Sequence, residues 1–192
     1  PLLIRSSEWS DHIHIVALGV FILTMMLLYA ASTLYHSVDS TAKVNRRLKK
    51  LDHMMIFVMI AGSYTPVCLI VLGGKVGYTL CAIVWGIAIA GIILKLFWIT
   101  CPKWFSSVLY IAMGWLCVLA FVPIFHALPR AGFDWLLAGG IIYTIGGVIY
   151  ALKVPLFNSR HKNFGSHEVF HVFIMLGSAC HFIVMYFFVA PL

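Results

Sequence analysis

Six long apolar runs dominate the sequence, at residues 13–35, 54–72, 77–97, 104–125, 135–152 and 169–189. Each run is close to the roughly 20 residues that an α-helix needs to cross the hydrocarbon core of a bilayer, within a range of about 17–25. The apolar residues follow one another without the alternation expected of strands in a membrane β-barrel. The pattern therefore predicts an all-α integral membrane protein with six transmembrane helices. The short connections predict a single membrane domain over residues 1–192.

Composition strengthens this prediction. The chain is 62% hydrophobic and 10% charged over 192 residues, whereas a soluble domain is about half apolar and a quarter charged. The formal net charge of +7 does not indicate a nucleic-acid partner, because the basic residues lie in short loops between apolar runs. The five cysteines lie mostly inside apolar runs and have no paired spacing. They indicate small apolar core residues rather than a disulfide framework.

Lysine and arginine alternate sharply between the two sets of loops. The loops after the first, third and fifth runs hold ten basic residues, namely Lys43, Arg46, Arg47, Lys49, Lys50, Lys95, Lys103, Lys153, Arg160 and Lys162. The opposite side holds three, namely Arg5, Lys75 and Arg130. The positive-inside rule places the richer side in the cytoplasm and both ends of this chain outside. We therefore expect a further helix before Pro1, which would give the full-length protein seven helices.

Polar and ionisable residues converge near the cytoplasmic ends of three predicted helices. Ser32 and His36 are four residues apart and share a helix face, as do His167 and His171, while Asp52 opens the second apolar run. An ionisable group at mid-membrane costs about 2.5–3.5 kcal/mol on insertion scales, so such residues indicate function. The sequence predicts that these five side chains lie at one depth.

Three of these side chains are imidazoles, which suit a metal ion. Three neutral histidines and a water make a tetrahedral zinc site with one reactive position. His167 and His171 project from adjacent turns, and His36 supplies the third ligand from another helix. Asp52 is then placed to bind the zinc water or orient a ligand, and Ser32 to do the same or to polarise a substrate carbonyl. Imidazoles also bind iron, nickel and copper, so the identity of the metal is open.

Each residue also has a simpler interpretation. A single histidine at a helix end is commonly an interfacial residue, Asp52 can offset a helix macrodipole, and Ser32 can pack as a small residue between helices. The convergence of all five at one depth favours the metal site. His53 is a weaker candidate, because it projects about 100° away from its neighbour Asp52 on the helix.

The last apolar run opens with a second pattern. His167-Glu168-Val169-Phe170-His171 matches H-E-x-x-H, in which a zinc protease uses two histidines as ligands and the glutamate as general base. An intramembrane metalloprotease with Asp52 as its third ligand is therefore an alternative. It leaves His36 without a role, and we rank it below the three-histidine site. Glu168 is accordingly a weaker candidate that otherwise faces the headgroups or the loop.

The ordered motifs resemble those of one membrane protein family. They are Ser32-Thr33-Leu34-Tyr35-His36, Asp52-His53, Gly62-Ser63-Tyr64-Thr65-Pro66, and His167-Glu168-Val169-Phe170-His171 followed by Gly177-Ser178 and His181. Together they resemble the bacterial hemolysin III family, within the progestin and adipoQ receptor group. The resemblance implies a seven-helix fold with a cytoplasmic N-terminus in a bacterial cell membrane. It also implies zinc held by His36, His167 and His171, with Asp52 near the zinc water and Ser32 close by. The family's first helix and an acidic motif near it have no counterpart in this chain.

Three functions follow from the resemblance and the residues. The first is a zinc-dependent hydrolase of lipid amide or ester bonds, since relatives of the group include ceramidase-like enzymes, with membrane lipid as substrate. The second is a cytolysin that assembles as a homo-oligomer and permeabilises membranes, although so apolar a chain is poorly suited to a soluble toxin. The third is a receptor-like or regulatory protein in which zinc is structural.

Overall fold

The computed structural model describes residues 12–152 and 165–192, and these form helices joined by short connections, with no strand in either stretch. The helices are α1 (His12–Ser37), α2 (Ala42–Pro66), α3 (Gly74–Phe97), α4 (Lys103–Gly114), α5 (Phe121–Ala127), α6 (Arg130–Leu152) and α7 (Ser166–Val184). Four of the basic residues used to predict sidedness lie outside the described residues: Arg5, Lys153, Arg160 and Lys162.

Six helical segments within the described ranges are long and apolar enough to cross a membrane, which confirms the all-α prediction. They run over His12–Ser37, Ala42–Leu72, Gly74–Phe97, Lys103–Ala127, Arg130–Leu152 and Ser166–Val189. The shortest has 23 residues and is therefore about 35 Å long at 1.5 Å per residue. A hydrocarbon core is about 30 Å thick, so every segment suffices.

The second helix begins well before the apolar run at residue 54 that marked it in the sequence. It starts at Ala42, where the Thr41 hydroxyl accepts a hydrogen bond from the Val44 amide at 3.4 Å. Apolar continuity detects only the part of a helix that lipid surrounds, whereas the hydrogen-bonded ladder continues through polar residues. Three turns rich in lysine and arginine therefore extend α2 before its apolar part.

Two of the spans contain irregular turns next to a proline. Pro66 ends α2, and the chain then winds more widely, in π-helical turns, over Val67–Leu72. Pro123 is the third residue of α5, directly after a tighter 3₁₀ segment over Trp115–Ala120. A proline lacks the amide hydrogen of the regular ladder, and its ring clashes with the carbonyl four residues earlier. The irregular turns allow both spans to remain helical on either side of the proline.

The helices group into two compact units, and the first contains α1 to α3 with Val189–Leu192. In this unit α1 packs along α2, and α2 packs against α3. A Cβ atom built on Gly62 of α2 would lie 2.0 Å from the Thr24 hydroxyl of α1, and one on Gly91 of α3 would lie 2.4 Å from the Phe57 ring. Small residues therefore allow the close approach that stabilises helix pairs in lipid.

The second unit contains α4 to α7, in which α6 packs against both α4 and α7. Large side chains pack directly against glycines here as well. A Cβ on Gly146 would lie 2.7 Å from Phe173, and one on Gly177 would lie 2.5 Å from the Tyr143 ring. The Tyr143 hydroxyl is 2.9 Å from that of Ser178. A hydrogen bond between helices satisfies polar groups that lipid cannot.

The contact between Gly62 and Thr24 gives a test of this packing. The Thr24 hydroxyl donates to the backbone carbonyls of Val20 and Phe21 at 2.9 and 3.0 Å, so its position is fixed. We expect Gly62→Ala to destabilise the protein by about 1–3 kcal/mol through overpacking, measured by thermal unfolding in detergent.

The matched control for this test is Gly86→Ala on α3, because a Cβ there meets nothing within 4 Å. Alanine is intrinsically better than glycine in a helix by about 1 kcal/mol, so this control should be neutral or stabilising. Adding Thr24→Ala to Gly62→Ala should recover part of the loss. Equal stability of the two glycine variants would contradict the packing described here.

Candidate metal centre

The first turns of α7 bring two imidazoles together. His167 and His171 are one helical turn apart, and their Nε2 atoms lie 3.3 Å from each other. Two nitrogens bound to one tetrahedral zinc ion, each at about 2.0–2.1 Å, are separated by about 3.3–3.4 Å. The pair therefore has the spacing that two zinc ligands require.

Two aromatic rings, of Tyr150 and Phe170, pack beside this pair, and no sequence pattern had indicated this packing. The Tyr150 ring of α6 lies 5.9 Å from the His167 ring and 4.8 Å from the Phe170 ring, measured between centroids. The Lys103 ammonium lies 4.6 Å from the centroid of Tyr150, a favourable cation–π distance. This packing restricts the orientation of His167. Nothing in the spacing of Tyr150 marked it, because it lies in an apolar run distant from α7 in sequence.

The ends of α1 and α2 place an acid beside a hydroxyl and an imidazole. Asp52 is only 8% exposed. Its carboxylate accepts a hydrogen bond from the Ser32 side chain and interacts electrostatically with His36. The ring of Tyr35 packs against that of His36, with centroids 4.7 Å apart. A buried carboxylate needs such partners, because burying a charge without them is costly.

Three histidines form a group that could hold a metal ion. Suitable ligand atoms of His36, His167 and His171 all lie within 4.8 Å of one another. The donors are three imidazole nitrogens, which suit zinc and leave one tetrahedral position for water. These are the three residues predicted as metal ligands, and that they bind a metal stays a prediction. The roles predicted for Asp52 and Ser32 remain predictions, although these two side chains do contact each other.

The weaker candidate His53 bonds to the backbone of α2. Its Nδ1 atom lies 2.9 Å from the backbone carbonyl oxygen of Lys49, one turn earlier on α2, and 3.5 Å from the Asp52 carboxylate. It does not belong to the three-histidine group among the described residues. Its Nδ1 atom therefore bonds to the backbone of its own helix.

The glutamate of the H-E-x-x-H pattern caps the N-terminus of α7. The Glu168 carboxylate accepts a hydrogen bond from the Gly165 amide at 2.7 Å. This is the reciprocal half of a capping box at the start of α7. A carboxylate used as a cap is not directed at a metal-bound water, so the geometry does not favour the protease alternative.

The buried histidine deeper in α7 has a packing role. His181 Nδ1 lies 2.8 Å from the backbone oxygen of Gly177, and its ring stacks on Tyr143 with centroids 5.1 Å apart. A Cβ on Gly139 would lie 2.5 Å from the same ring. His181 fills the space opposite this glycine, so it contributes to the α6–α7 contact rather than to the metal group.

Comparison with known proteins gives a consistent family. The family model described as "Haemolysin-III related" matches residues 2–182. "Hemolysin-3" of Bacillus cereus is 40% identical over 190 residues, covering 99% of this chain and 83% of that protein. "Hemolysin-3 homolog" of Bacillus subtilis is 37% identical over 187 residues, covering 97% and 84%. More distantly, "Adiponectin receptor protein" of Drosophila melanogaster is 33% identical over 61 residues, covering 30% of this chain and 14% of that protein.

The three-histidine group gives a test by metal content. We expect detergent-purified protein to contain about one zinc ion per chain, and the His167→Ala/His171→Ala variant to contain none, because one imidazole cannot retain the ion. Elemental analysis after gel filtration measures this. His126→Ala is the control, since that exposed histidine lies in α5 and outside the group. Wild type without metal, or full occupancy in the double variant, would contradict the site.

Proposed function

Because this chain belongs to the hemolysin III-related family of multi-pass membrane proteins, we propose that it is a membrane-embedded hydrolase of lipid amide or ester bonds. The observation that supports the proposal most is the juxtaposition of a three-histidine group with a buried acid. Asp52 contacts Ser32 and interacts with His36, which itself belongs to that group. Open zinc sites in hydrolases combine three protein ligands with a nearby group that handles protons.

Zinc held by His36, His167 and His171 would supply Lewis acidity and lower the pKa of a bound water to about 7. Asp52 would act as the general base, accepting a proton from a water molecule as the oxygen of that water adds to the substrate carbonyl carbon. The Ser32 hydroxyl donates to this carboxylate and keeps it oriented. Asp52 then returns the proton to the leaving nitrogen or oxygen as its bond to the carbonyl carbon breaks. The products are a carboxylic acid and an amine or alcohol.

The position of these side chains supports a lipid as the proposed substrate. The three histidines, Asp52 and Ser32 all belong to helical segments that are able to cross a membrane, and Asp52 is almost fully buried. A substrate that partitions into the bilayer has access to them from the lipid side, and an acyl chain provides that solubility at about 0.8 kcal/mol for each buried CH₂ group. An acyl amide or acyl ester places its carbonyl next to the apolar part of the molecule.

Two other functions compete with the hydrolase, and each is supported by the name of a relative. The Bacillus proteins are called hemolysins, which suggests membrane permeabilisation by an assembled homo-oligomer. The Drosophila protein is called a receptor, which suggests a regulatory role with structural zinc. A permeabilising activity should survive removal of the metal ligands. A structural zinc should make Asp52 dispensable and the histidines essential for stability.

We also propose that the basic loops, and with them the three-histidine group, face the cytoplasm. Among the described residues, Lys43, Arg46 and Arg47 follow the first span and are exposed. They lie on the polar first turns of α2, and basic segments next to a span are retained on the cytoplasmic side of bacterial membranes.

Sidedness can be tested with single cysteines in a cysteine-free background. Ser40→Cys lies between α1 and α2, and Ala131→Cys lies at the start of α6; both positions are exposed. In intact cells, we expect a membrane-impermeant maleimide to label the cysteine at position 131 only, and to label both after permeabilisation. Labelling of position 40 in intact cells would overturn the proposed orientation.

The catalytic role of Asp52 predicts a specific separation of effects. Asp52→Asn should lower fatty-acid release from a mixture of acyl amides and esters in mixed micelles by 10²-fold or more, since general-base catalysis contributes about 10²–10⁴-fold. Zinc content should stay near the wild-type value, because the three imidazoles are intact. The assay is mass spectrometric detection of free fatty acid with and without a chelator.

The control for this experiment is Asp134→Asn, another acid-to-amide change, on an exposed carboxylate paired with Arg130 at 3.0 Å. It should hydrolyse lipid as wild type does. Leakage of vesicles by the His167→Ala/His171→Ala variant, without metal-dependent hydrolysis by wild type, would favour the permeabilising function instead. Loss of stability in the histidine variants together with full function of Asp52→Asn would favour structural zinc.

A further inference from the structure

The first three turns of α2 carry a basic face that the proposed hydrolase does not use. Lys43, Arg46, Arg47 and Lys50 fall within an arc of about 100° on the helix at 3.6 residues per turn. Asp52 lies on the opposite side of the same helix by this geometry. The three outer side chains are exposed.

A contact between helices sets the depth of this face. The Lys50 ammonium donates a hydrogen bond to the backbone carbonyl of Leu96 at the end of α3. Phe97 and Trp98 follow there with 85% and 46% of their surface exposed, and a tryptophan at a helix end is typical of the membrane interface. Lys50 therefore lies level with the edge of the hydrocarbon core.

The remaining basic residues reach outward from that level. Arg47 and Arg46 lie three and four residues before Lys50, which is about 4.5–6 Å at 1.5 Å per residue. The headgroup region on each side of a bilayer is about 5–7 Å thick. The two guanidinium groups therefore lie at the depth of lipid phosphates, and Lys43 lies about one turn further out.

These charges have no acidic partner within the part of the chain that the structure describes. Neither ion pair found there involves Lys43, Arg46 or Arg47, and the first turn of α2 holds no acid. The positive end of the helix macrodipole adds to their repulsion. The neighbouring polar side chains are already bonded to backbone amides: the Thr41 hydroxyl accepts from the Val44 amide, and the Asn45 side-chain oxygen accepts from the Ser40 amide. An anion at this site would be held by the basic side chains.

We propose that the basic face of α2, formed by Lys43, Arg46, Arg47 and Lys50, binds the phosphate headgroups of anionic phospholipids. Arginine guanidinium groups bind phosphate oxygens with two parallel charge-assisted hydrogen bonds. The bilayer supplies this partner at the depth of the face and at high local concentration, which soluble phosphate does not. The interaction is independent of hydrolysis, since Asp52 lies on the other side of the helix.

Native mass spectrometry of the intact protein in detergent tests this surface, with phosphatidylglycerol and phosphatidylcholine as probes. Wild type should retain phosphatidylglycerol preferentially. Each basic residue near a membrane surface contributes about fivefold in affinity for anionic lipid, so Arg46→Gln/Arg47→Gln should lower this preference by about ten- to thirtyfold. Raising the salt concentration should lower the preference of the wild type for phosphatidylglycerol.

Two further variants make the outcome specific. Lys75→Gln/Arg130→Gln also removes two positive charges, at the starts of α3 and α6, and should keep the wild-type preference. Arg46→Lys/Arg47→Lys should retain most of it, because the charge remains. An unchanged preference in Arg46→Gln/Arg47→Gln would overturn the proposal, and so would an equal loss in Lys75→Gln/Arg130→Gln. Displacement of the lipid by inorganic phosphate at about 10 mM would also overturn it.

Discussion

The constraint on which the rest of this protein depends is the absence of water from the bilayer interior. Backbone amides and carbonyls there must bond within the protein, and an α-helix satisfies them all within one segment. Every described span is accordingly helical, including turns that widen over Val67–Leu72 or tighten over Trp115–Ala120 beside prolines. The same constraint makes each polar side chain informative, because it persists only with a partner.

Packing within each unit follows from this solvent. Lipid tails are as apolar as leucine, so burial of apolar surface does not drive helices together, and close contact between small residues does. Gly62 against Thr24 and Gly177 against Tyr143 are contacts of this kind. Polar side chains between packed segments are satisfied by one another, as where the Trp115 indole donates to the Thr144 hydroxyl at 2.8 Å. Shape and hydrogen bonding thus replace the hydrophobic effect as the source of specificity.

Asp52 and the basic face lie on opposite sides of the same helix. On α2, Asp52 is buried and bonded to Ser32, while Arg46 and Arg47 are exposed. A helix separates such neighbours because successive residues are rotated by about 100°. One extended helix therefore presents a buried carboxyl group on one side and exposed guanidinium groups on the other.

Much of this protein could be predicted from its sequence. Membrane spans are long apolar runs, a local property, so the six helices were evident, and the spacing of His167 and His171 placed both on one face. The start of α2 at Ala42 was not evident, because hydropathy reports the surrounding lipid and not the helix. The packing of Tyr150 on His167, the use of Glu168 as a helix cap and the contact of Lys50 with Leu96 depend on distances across space or on rotamers. The sequence by itself determined which segments enter the membrane and which residue types reach the site. Only the tertiary structure decided which atoms meet, because side-chain contacts between helices depend on rotation and depth that no local pattern encodes.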